Sequence, residues 1–232
     1  MPPSRGFIVA GAAGATTLTA WAVSSWPAMA TWGSTQAETH APMPGDELVG
    51  QARYRSTHAI TIHAAPSEVW PWLVQMGQGR GGLYSYDWLE NLLGLHMHSA
   101  DHVDPELQGL APGDPVRLVP EGTQPPLRFL VAQLDEPSVL VLGPDRDRDA
   151  AFAAHLPFPC WTFQLAPAGA DHCRLVVRFQ MDFDPTLLGW MAYKYALEPV
   201  HFVMERKMLL GIKQRAELHA TSPASHLTVA PA

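Results

Sequence analysis

His201 and Glu205 stand four residues apart in a stretch that reads as one long helix. That spacing sets an imidazole and a carboxylate side by side on the same face. Two readings compete. On an inward face the two side chains satisfy each other, or the sheet satisfies them, because a buried polar group without a partner costs stability. Alternatively His201 meets the polar end of a bound molecule. A lone His-x-x-x-Glu supplies two ligands, whereas zinc asks for three or four. A second constellation is Tyr84, Tyr86, Asp87 and Trp88. Tyrosine hydroxyls and a carboxylate can act as general acid and base on a substrate that cyclises or loses water. The competing reading has Asp87 capping a helix while the aromatic rings pack. His96, His98 and His102, with Asp101 among them, form a third group. Alternating imidazoles on an extended segment can hold a divalent ion, but polar loops of this kind are commonly just solvated, and no resident metal is expected. If the protein is an enzyme, the catalytic candidates are Tyr86, Asp87, His98 and His201.

Residues 77–82 (GQGRGG) match the glycine pattern of a dinucleotide-binding loop. Such a loop needs a strand before it and a helix opening after it. Here an amphipathic helix precedes the glycines, so the run reads as a tight turn between helices with Arg80 exposed. No cofactor is expected. The chain shows no nucleophile elbow, no phosphate loop and no defensible Ser-His-Asp order.

The elements that must position these residues follow from periodicity. In residues 173–183 the odd positions are apolar and most even ones polar, the mark of a strand with one buried face. Asp184 and Pro185 then stop the strand and open a helix. Residues 55–63 alternate likewise, with His58, Ile60 and Ile62 on one face. Ala65, Pro66, Ser67 and Glu68 start a helix that carries Val69, Trp70, Leu73, Val74 and Met76, and Pro71 should distort its first turns. A second short helix is expected over 84–93. Strands are expected over 115–119, 127–135, 138–142 and 160–165, with a tight turn at Asp135, Glu136 and Pro137 and an irregular connection over 144–159. The fold class is therefore α+β: a curved antiparallel sheet gripping a long C-terminal helix, with two short helices after the first strand.

Stepping 100° per residue from Val200 puts Val200, Met204, Met208, Leu209, Gly211, Ile212 and Ala216 on one half of the last helix, with His201 near its centre. Arg206, Lys207, Lys213, Gln214 and Glu217 take the other half. Met181, Met191, Met204 and Met208 suit an adaptable pocket lining, since thioethers fit irregular shapes. Leu175, Val177, Phe179 and Met181, with Trp161 and Phe163, face the same space. A solid core explains these residues equally well. The two cysteines fall on a hairpin turning at residues 168–170, which sets Cys160 opposite Val177 and Cys173 opposite Gln164, too far apart for a disulfide.

The chain has 232 residues, 47% hydrophobic and 16% charged, enough for one good core. A net charge of -7 without a basic stripe argues against nucleic acid. No charge lies between Arg5 and Glu38, and the apolar run 7–23 precedes Ala28, Met29 and Ala30. Residues 1–30 therefore read as a retained membrane anchor, a cleaved signal or a disordered soluble tail. Arg5 before the run and no further cation until Arg53 place the main domain outside the cytoplasm. Residues 31–52 read as a linker, 53–220 as the folded domain and 221–232 as a disordered tail.

Three runs carry a resemblance: residues 59–70 (AITIHAAPSEVW), 84–90 (YSYDWLE) and 198–210 (EPVHFVMERKMLL). With the element order, they resemble the START-like (SRPBCC, polyketide cyclase and lipid-transfer) superfamily. The last two runs, and the PGDEL of residues 44–48, resemble a narrower bacterial group with an N-terminal hydrophobic segment. The resemblance covers about residues 53–218 and implies the helix-grip fold, with an apolar cavity between sheet and terminal helix. It implies a hydrophobic small molecule or lipid as ligand, with His201, Met204, Met208, Ile212, Trp161, Phe163, Phe179, Met181, Tyr84 and Tyr86 expected to line the site. Binding without catalysis leads. A cyclase or hydratase in the same cavity and a membrane-tethered interaction domain with a filled core are the alternatives, since fold does not fix function.

Overall fold

The computed structural model describes residues 28–124, 126–145, 159–182, 186, 191 and 193–221. Six strands form one antiparallel sheet: β1 (Tyr54–Ile62), β2 (Pro115–Arg117), β3 (Arg128–Asp135), β4 (Val139–Pro144), β5 (Cys160–Pro167) and β6 (Cys173–Met181). Their order is β1-β6-β5-β4-β3-β2, so the first strand closes against the last. Among the described residues the helices that pack with them are α1 (Gln36–His40), α2 (Pro66–Val74), α3 (Asp87–Leu92) and the 23-residue α4 (Glu198–Ala220). A curved antiparallel sheet holding a long C-terminal helix is the helix-grip fold, as the alternation predicts; the helix start expected at Asp184 and Pro185 lies outside the described residues.

β6 turns Cys173, Leu175, Val177 and Met181 toward the helices, where all four are buried. The even face is not wet. Arg178 and Gln180 are both 1% exposed there, because the expected linker lies folded across them. Arg178 donates to the carbonyls of Glu38, Thr39 and Ala41, to Asp46 and to Thr57. Arg174 pairs with Glu38, which with Thr35 forms the capping box of α1. Ala59 on β1 donates its N–H to the Trp32 carbonyl, which covers part of an otherwise free sheet edge. Gly33 allows that approach: at φ 72°, an added Cβ would sit 2.2 Å from the Ala59 carbonyl oxygen. Residues 31–48 are thus a docked outer layer rather than a spacer. Alternating polarity marked them as solvent's side because five hydrogen bonds can make a buried arginine look like a surface one in sequence.

On the inner face, Met208, Leu209, Ile212 and Ala216 of α4 are at most 1% exposed and join one core with Ile60, Ile62, Phe163, Leu175, Val177 and the apolar side of α2. Each such large side chain contributes roughly 1.5–3 kcal/mol by leaving water. Side chains therefore occupy the space beneath the second half of α4. α2 begins at Pro66, with Pro71 inside it, and buries Val69, Trp70, Trp72, Leu73 and Val74.

Several expectations need correction. The β5–β6 hairpin pairs Cys160 with Gln180 and Pro167 with Cys173, because its turn extends to His172, whose carbonyl accepts from Ala168 N–H. The cysteines sit at opposite ends of the hairpin, free and buried, and desolvation pushes both thiols up to about 11. α3 starts at Asp87 rather than Tyr84, since Tyr84 holds a left-handed φ of 56° that no helix continues through. Arg80 is not exposed: its guanidinium donates to the carbonyls of Val74 and Leu107. Val200 and Met191, expected inside, are 57% and 45% exposed. The buried arc of α4 is centred on Glu205 and Ile212, so Val200 falls beyond its rim. No described helix is long and apolar enough to cross a membrane. Residues 1–27, the connection 146–158 and the tail 222–232 lie outside the described residues.

Candidate functional site

Under the first half of α4 the apolar core gives way to a buried polar cluster. Glu205, 2% exposed, points its carboxylate at the sheet. Trp161 on β5 donates its indole N–H to Oε1 at 3.2 Å. On Oε2 converge His201 Nε2 at 2.7 Å and His58 Nδ1 at 3.2 Å. Neither imidazole contact is a well-aligned hydrogen bond, so both bind chiefly by electrostatic attraction to the carboxylate. α4 supplies His201 and Glu205 by its i, i+4 spacing. β1 supplies His58 because alternation puts 54, 56, 58, 60 and 62 on the helix side.

The hydrogen-bond roles fix the protons. His58 Nε2 lies 2.7 Å from the Met29 carbonyl, which can only accept. Its Nδ1 faces a carboxylate, where a lone pair would be repelled. Both nitrogens therefore carry hydrogen, and His58 is the buried counter-ion of Glu205. Burial pulls His58 toward its neutral form, but the Glu205 charge and the Met29 carbonyl pull harder, and the net direction is up. Burial likewise opposes ionisation of Glu205, and the charges of His201 and His58 overcome it, holding the carboxyl well below its usual range. With Nε2 given to Glu205, Nδ1 of His201 has no partner among the described residues. The His201 side chain is 22% exposed, while those of His58 and Glu205 are 0% and 1%.

Aromatic rings wall this cluster. Phe179 lies against His201 with centroids 4.3 Å apart, and Trp161 stands beside both. Tyr54 and Tyr193 pack at 4.7 Å, and with Met181 and Phe179 they form one buried group. Desolvation first, and the carboxylates of Glu198 and Glu205 as well, drive both phenols upward from their ordinary value. Glu198, 2% exposed, is met by Lys194 at 3.5 Å.

Of the residues expected to line a site, Trp161, Phe179, Met181 and His201 gather here. Phe163, Met208 and Ile212 belong to the solid core. Met204 accepts Ser85 Oγ at its carbonyl. Tyr84, 1% exposed, spends its hydroxyl on the Trp72 carbonyl and packs edge-on to that ring. Tyr86 sits at the start of α3 under Lys207. Asp87 does not cap α3. It accepts from Ser99 N–H and Oγ and so ties down the loop after the helix. His96 and His98 are exposed, and His102 pairs with its neighbour Asp101. Among the described residues no three His, Cys, Asp or Glu side chains are placed to hold a metal ion. Sequence reasoning missed His58, Tyr54, Tyr193 and Glu198 as site residues. The available signal was a histidine two residues before Ile60 on an inward-facing strand.

No family model matches the chain, and no curated protein matches it. Among solved structures the chain is similar to protein MLL2253 from Mesorhizobium loti, at 16% identity over 73% of this chain and 99% of that one, with a TM-score of 0.43. It is similar to a norcoclaurine synthase point mutant from Thalictrum flavum in complex with a transition-state analogue, at 14% identity over 72% and 95% of the two chains, with a TM-score of 0.40. It is also similar to the Aha1 dimer from Colwellia psychrerythraea, at 16% identity over 72% and 98%, with a TM-score of 0.38. The fold assignment rests on the strand order and helix placement themselves.

Proposed function

We propose that this domain binds a hydrophobic small molecule or lipid beneath the first half of α4, with His201 fixing the ligand's polar end. One observation carries the reading: a ring nitrogen on an aromatic wall, held in place by a buried carboxylate, has no partner among the described residues and stands where the cluster meets solvent. Apolar ligand surface would gain about 25 cal/mol per Å² by leaving water, and a single oriented polar group is the usual means of setting direction in such a site. The START-like resemblance supports a ligand of this class. The filled second half of α4 confines the ligand to the end near Trp161, Phe179 and Tyr193.

The test is extraction of the purified full chain followed by mass spectrometry. Wild type should carry an apolar compound. His201→Leu should lose at least about tenfold of it while melting within a few degrees of wild type. Equal retention by both proteins, or nothing retained and no uptake from an apolar compound library, would sink the proposal.

A second reading has a specific observation behind it. An imidazole whose Nε2 is turned to a carboxylate presents Nδ1 for proton transfer, so the same site can serve a cyclase or hydratase. Turnover of a supplied substrate that vanishes in His201→Gln, with ligand retention kept, separates catalysis from carriage. Either reading keeps the domain extracytoplasmic, tethered or exported through residues 1–30, as the charges around that run predict.

A further inference from the structure

α3 is built inside out. The one buried residue of this short helix is Glu90, 4% exposed, whereas Trp88 and Leu92 are 65% and 73% exposed and the capping Leu93 is 75% exposed. A surface helix ordinarily does the reverse. Desolvation first, and the neighbouring Asp87 charge second, push the Glu90 carboxyl up to about 7, and its Oε2 has no partner among the described residues. Such an arrangement costs stability in water, so the apolar side is expected to serve a purpose outside the isolated fold.

The surroundings say what kind of surface would cover it. The approach to α3 crosses α4, where Ser85 Oγ donates to the Met204 carbonyl and Lys207 Nζ lies 5.8 Å from the Tyr86 ring. On the opposite flank of α4, Trp32 packs on Phe202 and lies under Arg206 at 5.0 Å. Between the flanks, Val200 and Val203 are 57% and 48% exposed, with Leu197 at 57% just before them. The two acids of this stretch, Glu198 and Glu205, are buried, so Arg206 and Lys207 set the charge of the exposed side. A chain of net charge -7 thus presents here a face that is apolar and positive. The chain also joins the described fold at this face: Met29 is held by His58, and Trp32 lies against α4. The uncharged run 7–23 precedes that point in sequence.

We propose that this face lies on an anionic lipid surface, with Trp88, Leu92, Leu93, Val200 and Val203 in the interface and Arg206 and Lys207 at the level of the phosphates. Exposed tryptophan and leucine beside lysine and arginine are the composition that settles at a bilayer boundary. Basic side chains there gain from negative headgroups and lose that gain with salt. The proposal does not depend on any ligand under α4.

The experiment uses the full chain, reconstituted into vesicles of phosphatidylcholine and phosphatidylglycerol, with Leu92→Cys carrying an environment-sensitive fluorophore. Cys160 and Cys173 are buried and stay unlabelled. The label should shift to the blue and be quenched by lipids bearing doxyl groups on their acyl chains, while a label at Thr123→Cys on the β2–β3 turn should do neither. Vesicles of phosphatidylcholine alone should quench the Leu92 label several-fold less. An unquenched Leu92 label on vesicle-bound protein would overturn the proposal, and equal quenching in neutral vesicles would overturn its anionic part. A blue shift that appears without lipid and grows with protein concentration would show a second copy as the occupant, and would overturn it too.

Discussion

Two buried glutamates, one under α4 and one under α3, receive opposite treatment. Glu205 and Glu90 are 2% and 4% exposed, so solvent is nearly equally remote from both. Around Glu205 stand an indole N–H and two imidazoles, and the carboxyl is held below its usual range. Around Glu90 stand Asp87 and Ser85, one oxygen is unpartnered, and the carboxyl rises to about 7. Burial alone therefore does not decide whether a carboxylate is charged; its neighbours do. The Glu205 region is preorganised around a fixed charge, which suits holding a ligand's polar end. The Glu90 region leaves its charge unsolved and its apolar residues outside, which suits a surface that finishes folding against something else.

Removing Glu205 should give the largest effect. Glu205→Ala strips the counter-ion from His58, whose side chain is 0% exposed, and breaking a buried pair from one side costs about 3–5 kcal/mol. Urea denaturation of the purified chain reads this directly. A loss smaller than about 1 kcal/mol would mean the pair is neutral in the fold. The pH profile tests the same point more finely. Glu205 titrates lower in the folded chain, so its contribution is present above the ordinary carboxylate value of 4.5 and is lost as pH falls through its lower folded value. His58 titrates higher, so its contribution is present below the ordinary imidazole value of 6.5 and is lost as pH rises through its raised folded value. Both are full between those two values. The urea midpoint should peak there, and Glu205→Gln should flatten the peak.

Much of this comparison could be read from residue order, and the remainder could not for identifiable reasons. The alternation of β6 and the Pro66 start of α2 are local signals, and both elements appear where periodicity puts them. His201 and Glu205 are neighbours by helix geometry alone. His58 lies 147 positions before Glu205 in the chain, and only the pairing of β1 with β6 at the sheet's end brings it beneath α4. No local pattern encodes that distance. The burial of Arg178 was hidden for the same reason: its partners lie in residues 38–57, far upstream. The inverted burial of α3 was concealed differently. Six residues are too few for a period of 3.6 to reveal a face, and tertiary contact from Tyr84 and Ser85 onto α4 sets its rotation.

A smaller effect of opposite sign sharpens the contrast. Glu90 has a folded-state value near 7 against an ordinary 4.5, so the folded chain holds the proton more tightly than the unfolded one. Its contribution is therefore fully present below about 4.5 and is lost as pH rises through about 7. Glutamine copies the shape and neutrality of the protonated acid. Glu90→Gln should match wild type near pH 4 and exceed it near pH 8 by about 1–2 kcal/mol, the cost of ionising a poorly partnered buried group. Urea midpoints at the two pH values measure the difference. The same Glu-to-Gln change at position 205 should instead destabilise at neutral pH, because there the charge is what the neighbours hold. If Glu90→Gln is no more stable at pH 8 than at pH 4 relative to wild type, Glu90 has a partner that keeps it ionised, and the two carboxylates are not the opposites their surroundings make them.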